Sequence, residues 1–120
     1  MIDDKLLKAL GEPKRFLLLQ LMAERAYCVK ALANRSGLSE SAVSQHLKIL
    51  REAGLVCGVK KGYYTHYSVE KEMLRCVITG LEQIVSCEKK SCGGAFYGCQ
   101  EAEAVGCPMY VPPEQRTGDD

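Results

Sequence analysis

The sequence predicts a mostly helical protein that also contains one β-hairpin. Two observations carry this prediction. Apolar residues recur at helical spacing over most of the first 87 residues, whereas LVCGVKKGYYTHYSV (residues 55–69) alternates and is rich in aromatic and β-branched residues. The chain has 120 residues, of which 47% are hydrophobic, enough for one domain with its own core and too many for a disordered chain.

Two helices are predicted at the start of the chain. The first covers residues 3–10 and ends at Gly11. Pro13 follows in the first turn of the second helix, where its missing N–H leaves no hydrogen bond unmade. The second helix is apolar on almost every side through the run FLLLQLM (16–22), which predicts that it is buried.

A pair of helices joined by a short turn is predicted next. Residues 28–35 form the shorter helix, which Gly37 ends in a left-handed C-cap. Ser39 is a suitable N-cap for the longer helix, residues 40–53. Its apolar residues recur at i, i+4 and i+7 and predict its buried side: Val43, Leu47 and Leu50.

The hairpin follows directly. Leu55, Cys57 and Val59 alternate, which predicts a strand with these three side chains directed toward the core. Residues 60–62 (KKG) are expected to turn, and residues 63–69 to return as the second strand. A short helix, a glycine turn, a longer helix and a hairpin in this order predict a winged helix-turn-helix, whose longer helix enters the major groove of DNA.

Polar residues on the other side of the longer helix are candidates for DNA contact. They are spaced at i, i+3, i+4 and i+7: Ser41, Ser44, Gln45 and Lys48. A glutamine amide can pair with an adenine edge, and small hydroxyl side chains let the backbone approach phosphate. Lys60 and Lys61, at the expected hairpin tip, are candidates for contact with phosphates.

The distribution of charge agrees with a nucleic-acid partner. Residues 1–70 carry eleven Lys and Arg against seven Asp and Glu, whereas residues 71–120 carry five against eight. The first part is therefore positive although the net charge of the chain is only +1. This asymmetry favours an anionic partner for the first part of the chain.

The last predicted helix covers residues 70–87. Val77, Leu81 and Ile84 follow the spacing of a helix–helix packing seam, which predicts a homodimer paired through the terminal helices. We therefore divide the chain into residues 1–90, for DNA binding and dimerisation, and residues 91–120, a partly disordered tail that contains cysteines.

The segment SCEKKSCGGAFYGC (86–99) is the candidate ligand site. Its glycines let the backbone fold back, so that the thiols of Cys87, Cys92 and Cys99 can converge, and Cys107 follows eight residues later. Lys89 and Lys90 favour the thiolate form. Three thiolates suit arsenite or antimonite, whereas four suit zinc, cadmium or an iron–sulfur cluster.

The cysteine spacing does not choose among these ligands. C-x4-C-x6-C-x7-C matches neither the C-x2-C zinc knuckle nor the ferredoxin pattern. A metalloid, a soft metal, a redox function, an iron–sulfur cluster, structural zinc and no ligand at all stay open. The first residues have neither a secretory signal nor a membrane span, so we expect a cytoplasmic protein, in which seven cysteines seldom form structural disulfides.

Two further cysteines are expected to be structural. Cys57 is in phase with its apolar neighbours and is expected in the core. Cys76 lies eleven residues before Cys87, about 16 Å along a helix at ~1.5 Å per residue, so one helix cannot bring both thiols to one ion.

The stretch from LKALGEPKRF through SGLSESAVSQHLKILREAGLV to YYTHYSV (Leu7 to Val69) resembles the ArsR/SmtB metalloregulators. The resemblance implies a homodimeric repressor of the arsenic-responsive type, which binds a palindromic DNA operator and leaves it when an inducer binds. It assigns DNA contact to residues of the longer helix and the hairpin: Ser39, Ser41, Ser44, Gln45, His46, Lys60 and Lys61.

Two inducer sites of that family are altered in this chain. Where the family often has E-L-C-V-C-D-L, this chain has AYCVKAL, so Cys28 matches the first cysteine and Lys30 replaces the second. Cys28 is then a residual ligand or a small buried side chain. The last helix contains no histidine, which argues against an imidazole–carboxylate metal site there.

An enzyme is the contrasting functional class. The sequence contains no C-x-x-C pair, no glycine-rich phosphate loop and no catalytic Ser/His/Asp pattern. We therefore predict a repressor that responds to As(III), Sb(III) or a soft metal, with a redox-dependent or iron–sulfur-dependent regulator as the alternative.

Overall fold

A computed structural model of the chain describes residues 2–88. It confirms a winged helix-turn-helix of five helices and one antiparallel hairpin. The elements follow in the order α1 (Asp4–Leu10), α2 (Pro13–Glu24), α3 (Val29–Ser36), α4 (Glu40–Glu52), β1 (Val56–Lys61), β2 (Tyr64–Val69) and α5 (Lys71–Ser86). Among residues 2–88, no helix is long and apolar enough to span a membrane.

Local signals begin and end the helices where the sequence predicts. Pro13 is the first residue of α2. Gly37 ends α3 in the left-handed conformation, with φ at +78°. The Ser39 hydroxyl accepts a hydrogen bond of 3.0 Å from the Ala42 N–H and so caps α4. The turn between α3 and α4 is therefore defined by Gly37 and Ser39 together.

The core lies among the first four helices and the base of the hairpin. The predicted buried side of α4 is confirmed, since Val43, Leu47 and Leu50 are all buried. The other helices and strands contribute residues to the same hydrophobic core. Apart from those of α4, the largest fully buried side chains are Leu6, Leu18, Leu32 and Leu55.

The predicted burial of α2 is correct for only one of its sides. Leu18, Leu19 and Met22 are buried, but Phe16 and Leu17 are exposed. The helix packs against α1, α3, α4 and β2 with one side only. The apolar surface of α2 is therefore wider than the part that residues 2–88 cover.

The predicted phase of the first strand is wrong by one residue. Val56 faces the core and pairs with Val69, whereas Cys57 is half-buried and Val59 is 52% exposed. Leu55 is buried because it lies in the turn before the strand, where its N–H bonds to the Leu50 carbonyl. The burial of Leu55 therefore does not show which face of β1 is buried. Moving the pattern by one residue places every side chain of the strand on the opposite face.

The hairpin turn begins two residues later than predicted and ends one residue later. Gly62 and Tyr63 form a two-residue turn, while Lys60 and Lys61 end β1 and pair with Thr65 and Tyr64. Gly62 has a φ of +65°, and no other residue type among residues 2–88 has a positive φ. This pattern is typical of a type II′ turn, in which glycine takes the first position.

A short bridge fixes the hairpin to the helical body. Tyr27, just before α3, exchanges two backbone hydrogen bonds with Tyr67 of β2, at 3.1 and 2.8 Å. A methyl group on Gly58 would lie 2.9 Å from the Tyr67 ring, so the absent side chain makes room for that ring. The Arg35 guanidinium lies 4.7 Å from the centre of the Tyr27 ring. Tyr67 is thus held between β1 and the segment before α3.

The last helix, α5, packs through only part of its surface. Met73, Leu74 and Val77 contact the core cluster. The two other residues of the predicted seam, Leu81 and Ile84, are 57% and 72% exposed. Helix α5 therefore presents an apolar surface that the described part of this chain does not cover.

Candidate nucleic-acid interface and thiol residues

Helix α4 has a continuous polar side. All four residues predicted from the helical spacing are exposed: Ser41, Ser44, Gln45 and Lys48. They lie opposite the side that Val43, Leu47 and Leu50 bury. Hydroxyl, amide and ammonium groups thus project together from one helix, with the donors and acceptors needed for phosphates and base edges.

Ser39 and His46 are engaged within the protein. The Ser39 oxygen accepts the capping hydrogen bond from Ala42, so its hydroxyl hydrogen is the part that can be donated to a phosphate. His46 is half-buried, and its Nδ1 lies 3.4 Å from Nη1 of Arg15 in α2. Both residues therefore contribute to the position of α4.

Arg51 belongs to the same surface, although it is not among the residues predicted above. It is exposed near the end of α4, seven residues after Ser44. Together with Ser44, Lys48 and Tyr67 it lines a shallow depression between α4 and the hairpin. The signal was present in the sequence, since Arg51 continues the i+3 and i+7 positions of the polar stripe.

The hairpin carries two exposed lysines and two exposed tyrosines. Lys60 and Lys61 point to opposite faces of the hairpin because they are successive residues of one strand. Tyr63 lies in the turn and is 99% exposed, and Tyr64 is also exposed. The sequence pattern predicts both tyrosines in a strand, whereas Tyr63 occupies the turn beside the lysines.

The described residues contain two of the five candidate ligand cysteines. Cys87 is exposed immediately after α5, and Cys28 is the half-buried N-cap of α3, where its side chain makes no capping hydrogen bond. Cys92, Cys99 and Cys107 lie outside the described residues, as do Lys89 and Lys90. Within residues 2–88, no group of three His, Cys, Asp or Glu side chains could hold a metal ion.

The two cysteines predicted to be structural have different surroundings. Cys57 is half-buried rather than in the core, and its sulfur lies 3.5 Å from the Ser68 hydroxyl across the hairpin. The prediction that Cys57 lies in the core is therefore wrong, because the buried face of β1 carries Val56 and not Cys57. Cys76 is half-buried on α5, in a groove that Ile2 and Gly80 also line.

Comparison with known proteins places this architecture in one family. Residues 12–57 match the family model described as "Bacterial regulatory protein, arsR family". A regulator from Escherichia coli, YgaV, is 35% identical over 80 residues, which cover 66% of this chain and 81% of YgaV. This chain belongs to the ArsR/SmtB family of transcriptional regulators. Members of this family bind DNA.

Other relatives of this ArsR/SmtB protein extend the comparison. The nodulation protein NolR of Rhizobium meliloti is 36% identical over 78 residues, which cover 65% of this chain and 64% of NolR. The crystal structure of NolR from Sinorhizobium fredii superimposes with a TM-score of 0.58 at 34% identity, covering 70% of this chain and 84% of that one. An ArsR-like regulator from Rhodococcus sp. RHA1 gives a TM-score of 0.66 at 28% identity, with 68% and 75% covered.

Some relatives are named as repressors of transcription and one as an activator. The repressor SmtB of Mycobacterium tuberculosis is 34% identical over 74 residues, which cover 62% of this chain and 55% of SmtB. HlyU of Vibrio cholerae is named a transcriptional activator. It is 33% identical over 79 residues, which cover 66% of this chain and 73% of HlyU. Membership of the ArsR/SmtB family therefore establishes a transcriptional regulator, with α4 as the second helix of its helix-turn-helix.

Proposed function

We propose that the protein is a dimeric repressor that binds a palindromic operator and is released by a thiophilic inducer. The observation that carries the DNA-binding part is the exposed polar side of α4 next to a hairpin with two exposed lysines. A helix of this kind fits the major groove, and the hairpin then reaches the flanking backbone.

The proposed contacts divide into two groups. Gln45 contacts a base edge, because its amide carries both a donor and an acceptor. Phosphate contacts come from the hydroxyl and ammonium groups around it: Ser39, Ser41, Ser44, Lys48, Lys60 and Lys61. Phosphate contacts set the position of α4 on the duplex, whereas base contacts select the sequence.

The dimer is proposed to form through α5. Leu81 and Ile84 are exposed on this helix, beyond the residues that contact the core. A second copy of the chain would cover the same residues about a two-fold axis. A two-fold axis also matches a palindromic operator, since each α4 then faces one half-site.

The inducer is proposed to bind the thiolates of Cys87, Cys92 and Cys99. Arsenite or antimonite is preferred because three thiolates satisfy its trigonal pyramid, and a soft metal ion is the next choice. Addition of Cys107 or Cys28 would give four ligands, which suit zinc or an iron–sulfur cluster. In the alternative proposal, the same cysteines make the regulator respond to oxidants.

Coupling between the two sites is proposed to act through the end of α5. Cys87 directly follows α5, which also carries the proposed dimer surface. A ligand that orders this end changes the angle between the two α4 helices, so that they no longer match two half-sites. A coupling free energy of about 1–3 kcal/mol, which is usual for allosteric proteins, weakens DNA binding about 5- to 150-fold.

One experiment separates these possibilities. The full chain, purified without oxygen, is used to select a duplex from a random-sequence DNA pool, and binding of the labelled duplex is followed by fluorescence anisotropy. Arsenite is expected to release the duplex, whereas a chelator or hydrogen peroxide should not. Release by peroxide alone, or iron in the elemental analysis, would favour the redox or iron–sulfur alternative. Failure to select any duplex would contradict the DNA-binding proposal itself.

A further inference from the structure

A glycine in the middle of α5 accommodates a side chain from outside that helix. A methyl group on Gly80 would overlap with Cδ1 of Ile2, which lies two positions before α1. Ile2 is half-buried and packs against the core cluster. Glycine is less favourable than alanine inside a helix, but at this position it leaves the space that the Ile2 side chain occupies.

A second glycine receives a side chain from the start of α5. Gly54 lies in the turn after α4, and a methyl group there would lie 2.8 Å from Cε of Met73. The Glu70 N–H, just before α5, donates to the Leu55 carbonyl at 2.8 Å. The start of α5 is therefore attached directly to the segment that follows α4.

The Ile2 contact lies further along α5. Gly80 comes seven residues after Met73, which is about 10 Å along the axis at ~1.5 Å per residue. Two contacts at this separation fix the direction of a helix, and a displacement of about 1 Å at Gly80 would turn α5 by about 5°. Leu81 and Ile84, beyond Gly80, are exposed. The Ile2 contact therefore governs the direction of the part of α5 that carries the proposed dimer surface.

The position of Ile2 depends in turn on α1. Asp3 caps this helix, since its side chain accepts a hydrogen bond of 2.9 Å from the Leu6 N–H. The Asp3 carbonyl accepts another, of 3.2 Å, from the Leu7 N–H. Helix α1 packs against both α2 and α4. The packing that positions α4 therefore also positions the Ile2 side chain.

We propose that Ile2 is a positioning residue that sets the direction of α5 relative to α4, and thereby the separation of the two α4 helices in the dimer. The DNA part of this inference rests on the proposed function, in which two copies pair through α5. In such a dimer, a change in the direction of α5 within each copy moves α4 relative to the two-fold axis. Half-sites lie at a fixed separation on the duplex, so a defined direction of α5 restricts which operators the dimer accepts.

The first test measures the contact through stability. Urea unfolding of the full chain is compared at one protein concentration, because the stability of a dimer depends on concentration. Gly80→Ala should raise the unfolding midpoint in an Ile2→Ala background, where the methyl group meets no obstacle and alanine improves the helix. In the wild-type background it should raise the midpoint less, or lower it.

The control for this test is an exposed neighbour on the same helix. Thr79→Ala also improves helix propensity and should shift the midpoint equally in both backgrounds. Equal shifts for Gly80→Ala in the two backgrounds, or a larger gain in the wild type, would overturn the contact. This test requires no DNA, so its result does not depend on the proposed function.

The second test uses operators that differ in half-site spacing. One base pair is inserted or deleted between the half-sites of the selected duplex, and binding is followed by fluorescence anisotropy. The wild type should lose affinity about tenfold or more on both variants, because a displaced half-site loses contacts. Ile2→Ala should lose a smaller factor, since its α5 is free to change direction. If Ile2→Ala does not fold, Ile2→Val replaces it, because valine lacks the Cδ1 atom that lies over Gly80.

A second control separates positioning from a general loss of stability. Leu21→Ala also removes a half-buried apolar side chain that packs against the core cluster, and it should keep the wild-type spacing preference. The positioning role is overturned if Ile2→Ala keeps that preference too, or if the wild type accepts every spacing equally. A wild-type chain that binds no duplex would instead refute the proposed function, whereas the urea comparison would still decide the Ile2 contact.

Discussion

Gln45 and Lys61 are both exposed, but they offer different chemistry to DNA. The amide of Gln45 carries a donor pair and an acceptor on a rigid helix, so its partner must present a complementary pattern. The ammonium of Lys61 is a point charge on a flexible stem at the end of β1, and any phosphate satisfies it. Selectivity is therefore expected from Gln45 and affinity from Lys61.

Replacement of Gln45 by alanine should relax sequence preference. The selected duplex should lose about 1–3 kcal/mol of binding free energy, while a duplex substituted at the contacted base pair should lose much less. Fluorescence anisotropy with a panel of single-base variants measures both. Gln20→Ala, an exposed amide on α2, serves as the control. An unchanged ranking of the panel in Gln45→Ala would remove Gln45 from the base contacts.

Replacement of Lys61 by alanine should lower affinity on every sequence. One fewer phosphate contact releases about one fewer counterion, so the slope of log K against log salt should fall by about one. The measurement is a titration at several salt concentrations, with Lys71→Ala on α5 as the charge-matched control. Equal slopes for the wild type and Lys61→Ala would contradict the proposed role of the hairpin.

At the scale of elements, signals close together in the sequence were sufficient to place the helices. Pro13, Gly37 and Ser39 each act within a few residues, so the ends of the helices follow from them directly. The phase of β1 could not be predicted in this way. The burial of Leu55 comes from the turn after α4, and the sequence does not distinguish it from the alternation of a strand.

The turn between α3 and α4 yields a stability prediction. Gly37 has a φ of +78°, and a methyl group there would meet nothing within 4 Å. Gly37→Ala should therefore cost only the backbone strain, about 1–2 kcal/mol of unfolding free energy. Urea unfolding measures this loss, and Gly37→Asn should lose less because asparagine tolerates the left-handed region. A neutral Gly37→Ala would mean that the turn adopts another conformation.

The site was predictable only where it follows helical spacing. The polar side of α4 repeats at i, i+3 and i+4, so its exposed residues could be named from the sequence, and Arg51 could have been added. The contact between Arg15 and His46 joins residues 31 positions apart and depends on how α2 and α4 pack. Tyr63 was missed because the turn begins at Gly62 rather than before it.

For the whole molecule, the first prediction concerns the dimer. Leu81→Glu should give monomers and abolish operator binding, because it places a charge in the proposed α5 surface. Light scattering measures the mass, and Val59→Glu, a similarly exposed apolar position on the hairpin, should leave the dimer intact. A fully dimeric Leu81→Glu would rule out α5 as the pairing surface.

The second prediction concerns release by the inducer. Each of Cys87→Ser, Cys92→Ser and Cys99→Ser should still bind the operator but no longer leave it with arsenite, because a serine hydroxyl is a poor ligand for soft ions. Cys57→Ser and Cys76→Ser should release normally. Release of all three ligand variants at the wild-type arsenite concentration would place the site elsewhere.

Two further cysteine variants determine the number of ligands. Loss of the arsenite response in Cys107→Ser or Cys28→Ser would indicate a fourth thiolate. That result would favour a metal ion or a cluster over a metalloid. A normal response in both would support the three-thiolate site.

The hairpin has a consequence for how separate molecules behave toward one another. Within residues 2–88, β2 is paired on both sides, by β1 and by Tyr27, whereas β1 has one edge without a partner. Such an edge can add a strand from another chain and so start aggregation, and charged side chains oppose this. Lys60 and Lys61 occupy the end of that edge. Neutralising both should therefore lower solubility at high protein concentration as well as affinity for DNA, because the proposed phosphate contacts and the protection of this edge depend on the same two charges.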